Sequence, residues 1–279
     1  MSSSPSYQYE TVNVTVYPDG VAHVELNRPK KLNAFNDEMV RDVRSVFRDI
    51  SLDKNVRAIV LSGAGRATTS GLDLAEQSLS SLTDDSTDIA RNVYATRKHI
   101  RDFQDAFTAI EECEQPVIVA AHNVCIGAGV DMITACDIRY GTKDSYYAVK
   151  EVDVGLAADV GSLQRLQKVI GNQSLVREWC LTGRKIDANE AYQTGLISKL
   201  TDTKEQALEE AFKTARVIAS KSPVAVLGTK HLLNYSRDHS VAEGLKYTVT
   251  WSSAMLNTED IPLSVQAFME KKPAKFSKL

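Results

Sequence analysis

From Val56 to Lys199 the chain repeats one pattern, a short apolar strand, a glycine-containing loop and a helix, and beyond Lys199 the strands stop. Strands alternating with helices bury both faces of a sheet, which specifies an α/β architecture. Val12, Val14 and Val16 alternate with Thr11, Asn13 and Thr15, then Pro18-Asp19-Gly20 makes a turn into Ala22, Val24 and Leu26. That is a β-hairpin with one buried face. Met39, Val43, Val46, Phe47 and Ile50 recur at helical spacing, and Val56 to Leu61 is the next strand. Ile89, Val93, Ile100, Phe103, Phe107 and Ile110 mark a long amphipathic helix, which Pro116 separates from the strand Val117 to Ala121. Asp131 to Ala135 reads as helix and Ile138 to Tyr140 as strand.

After residue 200 only helices are expected. They run over Lys204 to Ser220, from Pro223 onward, after the Ser240/Glu243 capping box and over Thr258 to Lys271. The organisation read from the sequence is therefore an α/β core over 1–200 and a helical region over 201–279. Tyr247, Val249, Trp251 and Met255 give the latter much apolar surface, suited either to joining subunits or to packing within one chain.

With 279 residues, 43% of them hydrophobic, the chain has the composition of a folded globular protein. Lys plus Arg number 33 and Asp plus Glu 36, a formal net charge of −3, so no bulk positive field draws it to nucleic acid. The longest apolar stretches fall far short of the ~20 residues of a membrane span. Cys113, Cys125, Cys136 and Cys180 form no CxxC pair and read as small buried apolar residues. The start, Met1 to Tyr9, has no apolar core, so no secretory signal is expected. The final Ser277, Lys278 and Leu279 match a receptor-read peroxisomal address, preceded by Lys271, Lys272 and Lys275. A tail of this composition is expected to be exposed and loose.

Several chemistries lack their signals. Gly63-Ala64-Gly65 has no third glycine of a dinucleotide fingerprint, and there is no phosphate-binding GxxxxGK[ST] loop. No GxSxG elbow exists, and His23, His99, His122, His231 and His239 are scattered without metal-ligand spacing. What remains is two loops between a strand and a helix, Gly63 to Gly71 and Cys125 to Gly129. Two such loops can aim free backbone N–H groups at one developing negative charge, although any strand-to-helix turn also uses glycine. Carboxylates near the second loop add to this. Asp131 follows Gly127-Ala128-Gly129, while Glu151, Asp153 and Asp159 interrupt the otherwise apolar run from Val149 to Gly161. Acids in apolar surroundings shift toward pKa values useful for proton transfer. The alternatives are that Asp159 caps a helix beginning near Val160 and that Glu151 or Asp153 pairs with Lys150 or Arg165.

At these residues the sequence resembles the crotonase, or enoyl-CoA hydratase/isomerase, superfamily. The likeness runs through Asn27-Arg28-Pro29 to Ala34, Ser70-Gly71-Leu72-Asp73, Ile126 to Asp137 and the helix after Asp159. Within the superfamily, Lys150 to Gly161, Ile170-Gly171-Asn172-Gln173-Ser174 and Ser236-Arg237-Asp238-His239-Ser240 are similar to the Δ3,5-Δ2,4-dienoyl-CoA isomerases. The resemblance implies a crotonase-like α/β spiral of repeated β-β-α turns with a C-terminal helical trimerisation region. It implies a homotrimer or dimer of trimers that works without metal or other cofactor, coenzyme A being part of the substrate. Its partners would be an acyl-CoA and a peroxisomal import receptor, with residence in the peroxisomal matrix.

By motif position, the Ser70 and Ala128 amides would hold the thioester oxygen, and Ala34, Ser70 and Leu72 would contact coenzyme A. Asp159 and Glu151 would shuttle a proton from C2 to C6 of a 3,5-dienoyl-CoA, with Asp131 supporting them electrostatically. Hydratases of the superfamily have glutamates at the positions of Asp131 and Glu151 and glycine at that of Asp159. A hydratase or Δ3-Δ2-enoyl-CoA isomerase using only Asp131 and Glu151 is the nearest alternative. A non-catalytic acyl-CoA-binding or assembly member is another. Ala128 and Asn123 stand in place of glycines of the family and Thr68 in place of a common aromatic, so Ala128 is expected to need φ below zero or a strained backbone and the pocket to be narrower than the family norm.

Overall fold

The computed structural model describes residues 7–76 and 86–279. The serine-rich start of the chain lies almost entirely outside them. Strands β1 (Val12–Val16) and β2 (Val21–Leu26) form the expected antiparallel hairpin. Helix α1 (Asp37–Ser51) follows, capped by Asn36, whose side chain accepts the Met39 amide. Next come β3 (Ala58–Gly63), α2 (Ile89–Glu112), β4 (Val117–Ala121), β5 (Val124–Ile126) and α3 (Ala128–Ala135). Strands β6 (Ile138–Thr142) and β7 (Tyr146–Ala148) precede α4 (Ser162–Val169) and α5 (Gln173–Thr182). The α/β part ends with β8 (Ile186–Asp187), α6 (Ala188–Gln193) and β9 (Lys199–Thr201).

These strands make two sheets, ordered β1-β2-β3-β4-β6-β9 and β5-β7-β8. The chain moves from the larger to the smaller sheet at β4–β5 and again at β6–β7, and back at β5–β6 and β8–β9. Each such step is a turn of a spiral. Pairing from β2 to β9 in the large sheet is parallel, and its inner strands are buried on both faces, which is why they read as unbroken apolar runs. Ile59, Leu61, Val117 and Val119 face the main core with Phe47, Phe107 and Trp179, while Ala58, Val60, Ile118 and Ala120 face the other way.

The second face is covered by α7 (Lys204–Ala219), through Ala207, Ala211, Ala215 and Ala219. Four alanines at helical spacing let the helix lie close on the sheet. The helices expected from residue 201 onward therefore begin inside the core. Beyond α7, α8 (Pro223–Arg237) packs against α9 (Val241–Met255), whose capping box at Ser240 and Glu243 is present, and α10 (Asp260–Met269) is the last helix. Aromatic residues of α8 and α9 engage one another, with Tyr235 stacked on Tyr247 at 4.0 Å and His231 on Trp251 at 4.1 Å. Val241, Leu245, Val249, Phe268 and Met269 stay exposed.

Two expectations are modified. Helix α2 buries only its C-terminal half, leaving Ile89 and Val93 exposed. The tail after α10, expected to be loose, is held by Arg57, whose Nη2 donates to the Phe276 carbonyl at 2.9 Å and the Ser277 carbonyl at 3.1 Å. Lys278 Nζ also donates to Asn55 Oδ1, so polar contacts hold the tail. Among the described residues no helix is long and apolar enough to cross a membrane, and the four cysteines are free and buried.

Candidate active site

The two glycine loops meet. Thr69 pairs with Cys125 and Phe35 with Leu72 in isolated parallel bridges, so the 69–72 segment lies between the start of α1 and strand β5. Gly71, at φ +83°, makes the approach feasible: a methyl there would lie 2.7 Å from the Ile126 carbonyl oxygen and 3.5 Å from the Ala128 nitrogen. Ala128 is the first residue of α3, so its N–H is one of the helix-start donors without an intrahelical partner. Its φ is not positive, so alanine in this place brings no backbone strain. Asn123 does adopt a left-handed φ of +50°, which asparagine tolerates better than most residues. The buried Thr68 ties the two loops together, its hydroxyl donating to the His122 carbonyl at 2.9 Å.

The expectation for Ser70 is corrected here. Its amide donates to the Leu32 carbonyl at 2.9 Å and is therefore committed to the fold. The donor on this loop is Leu72. The Gly71 carbonyl accepts the Phe35 amide at 2.7 Å, and across a planar trans peptide the following N–H points the opposite way. The Leu72 amide thus faces the Ala128 loop, and among the described residues it has no hydrogen-bond acceptor. No composition signal marks Leu72; only the positive φ required at Gly71 hints that the chain turns there.

These residues open onto a cavity of about 360 Å³, with Ser70, Leu72, Gly127 and Ala128 on one side and Glu151, Leu156 and Asp159 on another. Ile100 and Phe103 of α2 supply an apolar wall. Ala34, expected to touch coenzyme A, is buried outside this lining, its carbonyl accepting Arg28 Nη1 at 2.6 Å.

The three acids come together as a graded set. Glu151 begins a 3₁₀ turn, Glu151–Val154, and its Oε1 lies against Gly127 while Oε2 is buried with no hydrogen-bond partner among the described residues. Asp131 sits behind the lining, fully buried in α3. Its Oδ1 accepts the Ser162 amide, and its Oδ2 has no partner among the described residues. Asp159 stands at the cavity mouth in the irregular segment before α4. Among the described residues neither Glu151 nor Asp159 has an ion-pair partner: Lys150 pairs with Asp153 at 2.7 Å and Arg165 with Glu111 at 2.9 Å. The cap of α4 is Gly161, with no side-chain hydrogen bond, so Asp159 is not a helix cap.

Burial lifts all three above the ordinary carboxylate values. Asp131 is pushed up to about 7 by burial and then by the Glu151 carboxylate, against the pull of the Ser162 hydrogen bonds. Glu151 is raised by burial with Asp159 adding to it, and Asp159 is raised by burial while His99 opposes. Gly161 and Ser162, neither singled out from the sequence, complete the arrangement. At φ +142°, Gly161 turns the chain so that the Ser162 amide reaches Asp131, and a side chain there would collide with Arg165. Among the described residues no cluster of His, Cys, Asp or Glu could hold a metal ion. Two convergent amides and neighbouring acids of raised pKa can stabilise an oxyanion and pass protons on either side of it.

Comparison with known proteins gives the family. A family model described as enoyl-CoA hydratase/isomerase matches residues 17–278, and the chain belongs to that family. It is 52% identical over 276 residues to a protein of Rattus norvegicus named Delta(3,5)-Delta(2,4)-dienoyl-CoA isomerase, mitochondrial, covering 98% of this chain and 84% of that one. It is 42% identical to an Arabidopsis thaliana protein named Delta(3,5)-Delta(2,4)-dienoyl-CoA isomerase, peroxisomal, covering 93% of each. The crystal structure of an enoyl-CoA hydratase from Bacillus anthracis superposes with a TM-score of 0.85 at 25% identity, covering 96% of this chain and 99% of that one. The α/β spiral is thus the crotonase fold.

Proposed function

We propose that this protein is an isomerase of acyl-CoA thioesters that converts 3,5-dienoyl-CoA into 2,4-dienoyl-CoA. One observation carries the reading: a third acid, Asp159, lines the cavity with no ion-pair partner among the described residues, in addition to the buried Asp131 and the half-buried Glu151. The names of the relatives in rat and Arabidopsis support it.

The thioester oxygen is received by the Leu72 and Ala128 amides. Asp159 takes the C2 proton, and the electron pair of the broken C–H bond delocalises onto that oxygen and along the diene to C6. Amide donors aimed at the developing charge lower the cost of the dienolate. Glu151, in its protonated form, delivers a proton to C6, and the carbonyl re-forms. The cycle closes when the proton on Asp159 returns to Glu151 through solvent at the cavity mouth. One proton leaves and one arrives, so substrate and product have the same composition and no electron acceptor is needed. One acid must be ionised while the other is protonated, and coupled carboxylates in an apolar setting supply that difference. Asp131, raised by burial and by the Glu151 carboxylate, lies behind the pair.

Residence in the peroxisome is supported by Ser277-Lys278-Leu279, whose side chains are exposed, and by the name of the Arabidopsis relative; the rat relative is named as mitochondrial. Assembly into trimers or dimers of trimers is supported by the exposed aliphatic residues of α9 and α10.

Turnover of purified protein on 3,5-dienoyl-CoA tests the reading. Conjugated 2,4-dienoyl-CoA appears as new long-wavelength ultraviolet absorbance. Hydration of an enoyl-CoA with no change in the dienoyl substrate would assign the site to a hydratase, and binding without turnover would make it a non-catalytic member.

A further inference from the structure

Asp131 is anchored by the Ser162 amide and Glu151 is built into a 3₁₀ turn, but Asp159 lies in an irregular stretch between that turn and α4. The side-chain clamp on this stretch comes from 55 residues away. Gln104 of α2 donates from Nε2 to the Asp159 backbone carbonyl at 2.6 Å. Helix α2 is a rigid support, with Phe103, Phe107 and Ile110 buried in the main core. Its residues His99, Ile100 and Phe103 also form the cavity wall facing Asp159. The wall that shapes the substrate pocket and the group that fixes the Asp159 main chain therefore belong to one helix.

From this geometry we infer that Gln104 is a positioning residue for Asp159, setting the distance between the carboxylate and C2 of the bound acyl chain. The inference rests on the dienoyl-CoA isomerase reading above. Ala158 and Val160 on either side are buried in the main core, and the Gln104 bond fixes the peptide between them; misplacement of the carboxylate by ~1 Å costs on the order of 10²-fold in rate. Gln104 is exposed, so its hydrogen bond contributes little to global stability and its effect falls on the reaction. It is not part of the cavity lining and so touches no reacting atom.

The test compares wild type with Gln104→Met, which keeps the side-chain length without a donor, and Gln104→Lys, which restores one. On 3,5-dienoyl-CoA, Gln104→Met is expected to lose about 10-fold in kcat with KM within about 2-fold of wild type. Its exchange of the C2 hydrogen with solvent deuterium should slow in parallel, at unchanged Tm. Gln104→Lys should recover most of the lost kcat. Wild-type kcat in Gln104→Met overturns the inference, as does a loss matched by a lower folded fraction or one that Gln104→Lys leaves uncorrected. Wild-type protein that converts no 3,5-dienoyl-CoA overturns instead the reading on which the inference rests, so the two failures are distinct.

Discussion

Asp131 accepts the Ser162 amide through one carboxylate oxygen and buries the other without a hydrogen-bond partner among the described residues. An acid solvated on one side only is held partly protonated near neutral pH, here at about 7. Keeping Asp131 ionised above that value therefore carries a cost to stability.

That cost has a predicted pH dependence. The folded pKa of about 7 lies above the ordinary value near 3.8, so between these the folded state keeps a proton that the unfolded chain has released. Stability contributed by the protonated form is complete below about pH 4, falls as pH rises to about 7 and is level above it. Asp131→Asn keeps an oxygen for the Ser162 amide and has no proton to lose. Its stability relative to wild type should be greater at pH 8 than at pH 5, by up to roughly 3 kcal/mol at ~1.4 kcal/mol per pKa unit. Urea unfolding at the two pH values measures this, and an equal difference at both would contradict it.

Asp159→Asn should abolish isomerisation and leave acyl-CoA binding nearly intact. An amide fills the same space at the cavity mouth but cannot accept the C2 proton, and removing a general base typically costs 10²–10⁴-fold. Retention of more than half of the wild-type turnover would remove Asp159 from the mechanism.

For Glu151→Gln the expected result is a separation of two rates. If Glu151 delivers the proton to C6, product formation falls while Asp159 still exchanges the C2 hydrogen with solvent deuterium. Mass spectrometry of recovered substrate reads the exchange. Equal loss of both rates would show that Glu151 acts at C2 or supports the site as a whole.

Much of this was legible in the sequence because periodicity reports burial. The double-faced strands Ala58–Gly63 and Val117–Ala121, the face of α1 and the capping box at Ser240 all follow from side-chain spacing. Glu151 and Asp159 are conspicuous as acids in an apolar run. Amide direction is not written in side chains: whether Ser70 or Leu72 points into the cavity depends on φ at Gly71 and on Leu32 taking the Ser70 N–H. Long-range partners escape for the same reason. Gln104 reaches Asp159, and Arg57 reaches Phe276, only once the chain has folded.

The tail gives a prediction in the cell. Arg57 holds the carbonyls of Phe276 and Ser277 and Lys278 Nζ donates to Asn55 Oδ1, so deleting Ser277 to Leu279 removes the Ser277 and Lys278 contacts and keeps the one to Phe276. Activity and oligomeric state in vitro should be unchanged, and fluorescence microscopy should show the protein moving from peroxisomes to cytosol. Continued import of the shortened chain, with no intact subunit to carry it, would place the address elsewhere.

Gly71→Ala tests whether the meeting of the two loops builds the oxyanion site. At φ +83° alanine costs roughly 1–2 kcal/mol, and its methyl would lie 2.7 Å from the Ile126 carbonyl oxygen. The segment cannot easily yield. Thr69 is pinned to β5 by hydrogen bonds of 3.0 and 3.3 Å, and Gly71 and Asp73 to Phe35 by bonds of 2.7 and 2.9 Å. Relief must come from parting the Leu72 and Ala128 amides, and loss of one such donor costs ~10²–10³-fold in kcat. Gly195→Ala is the control, since Gly195 has nearly the same φ, +85°, with nothing within 4 Å of the added methyl. Both variants should lose stability through backbone strain, but only Gly71→Ala should lose kcat by about 10²-fold or more. Similar kcat in the two would mean that these amides do not stabilise the transition state.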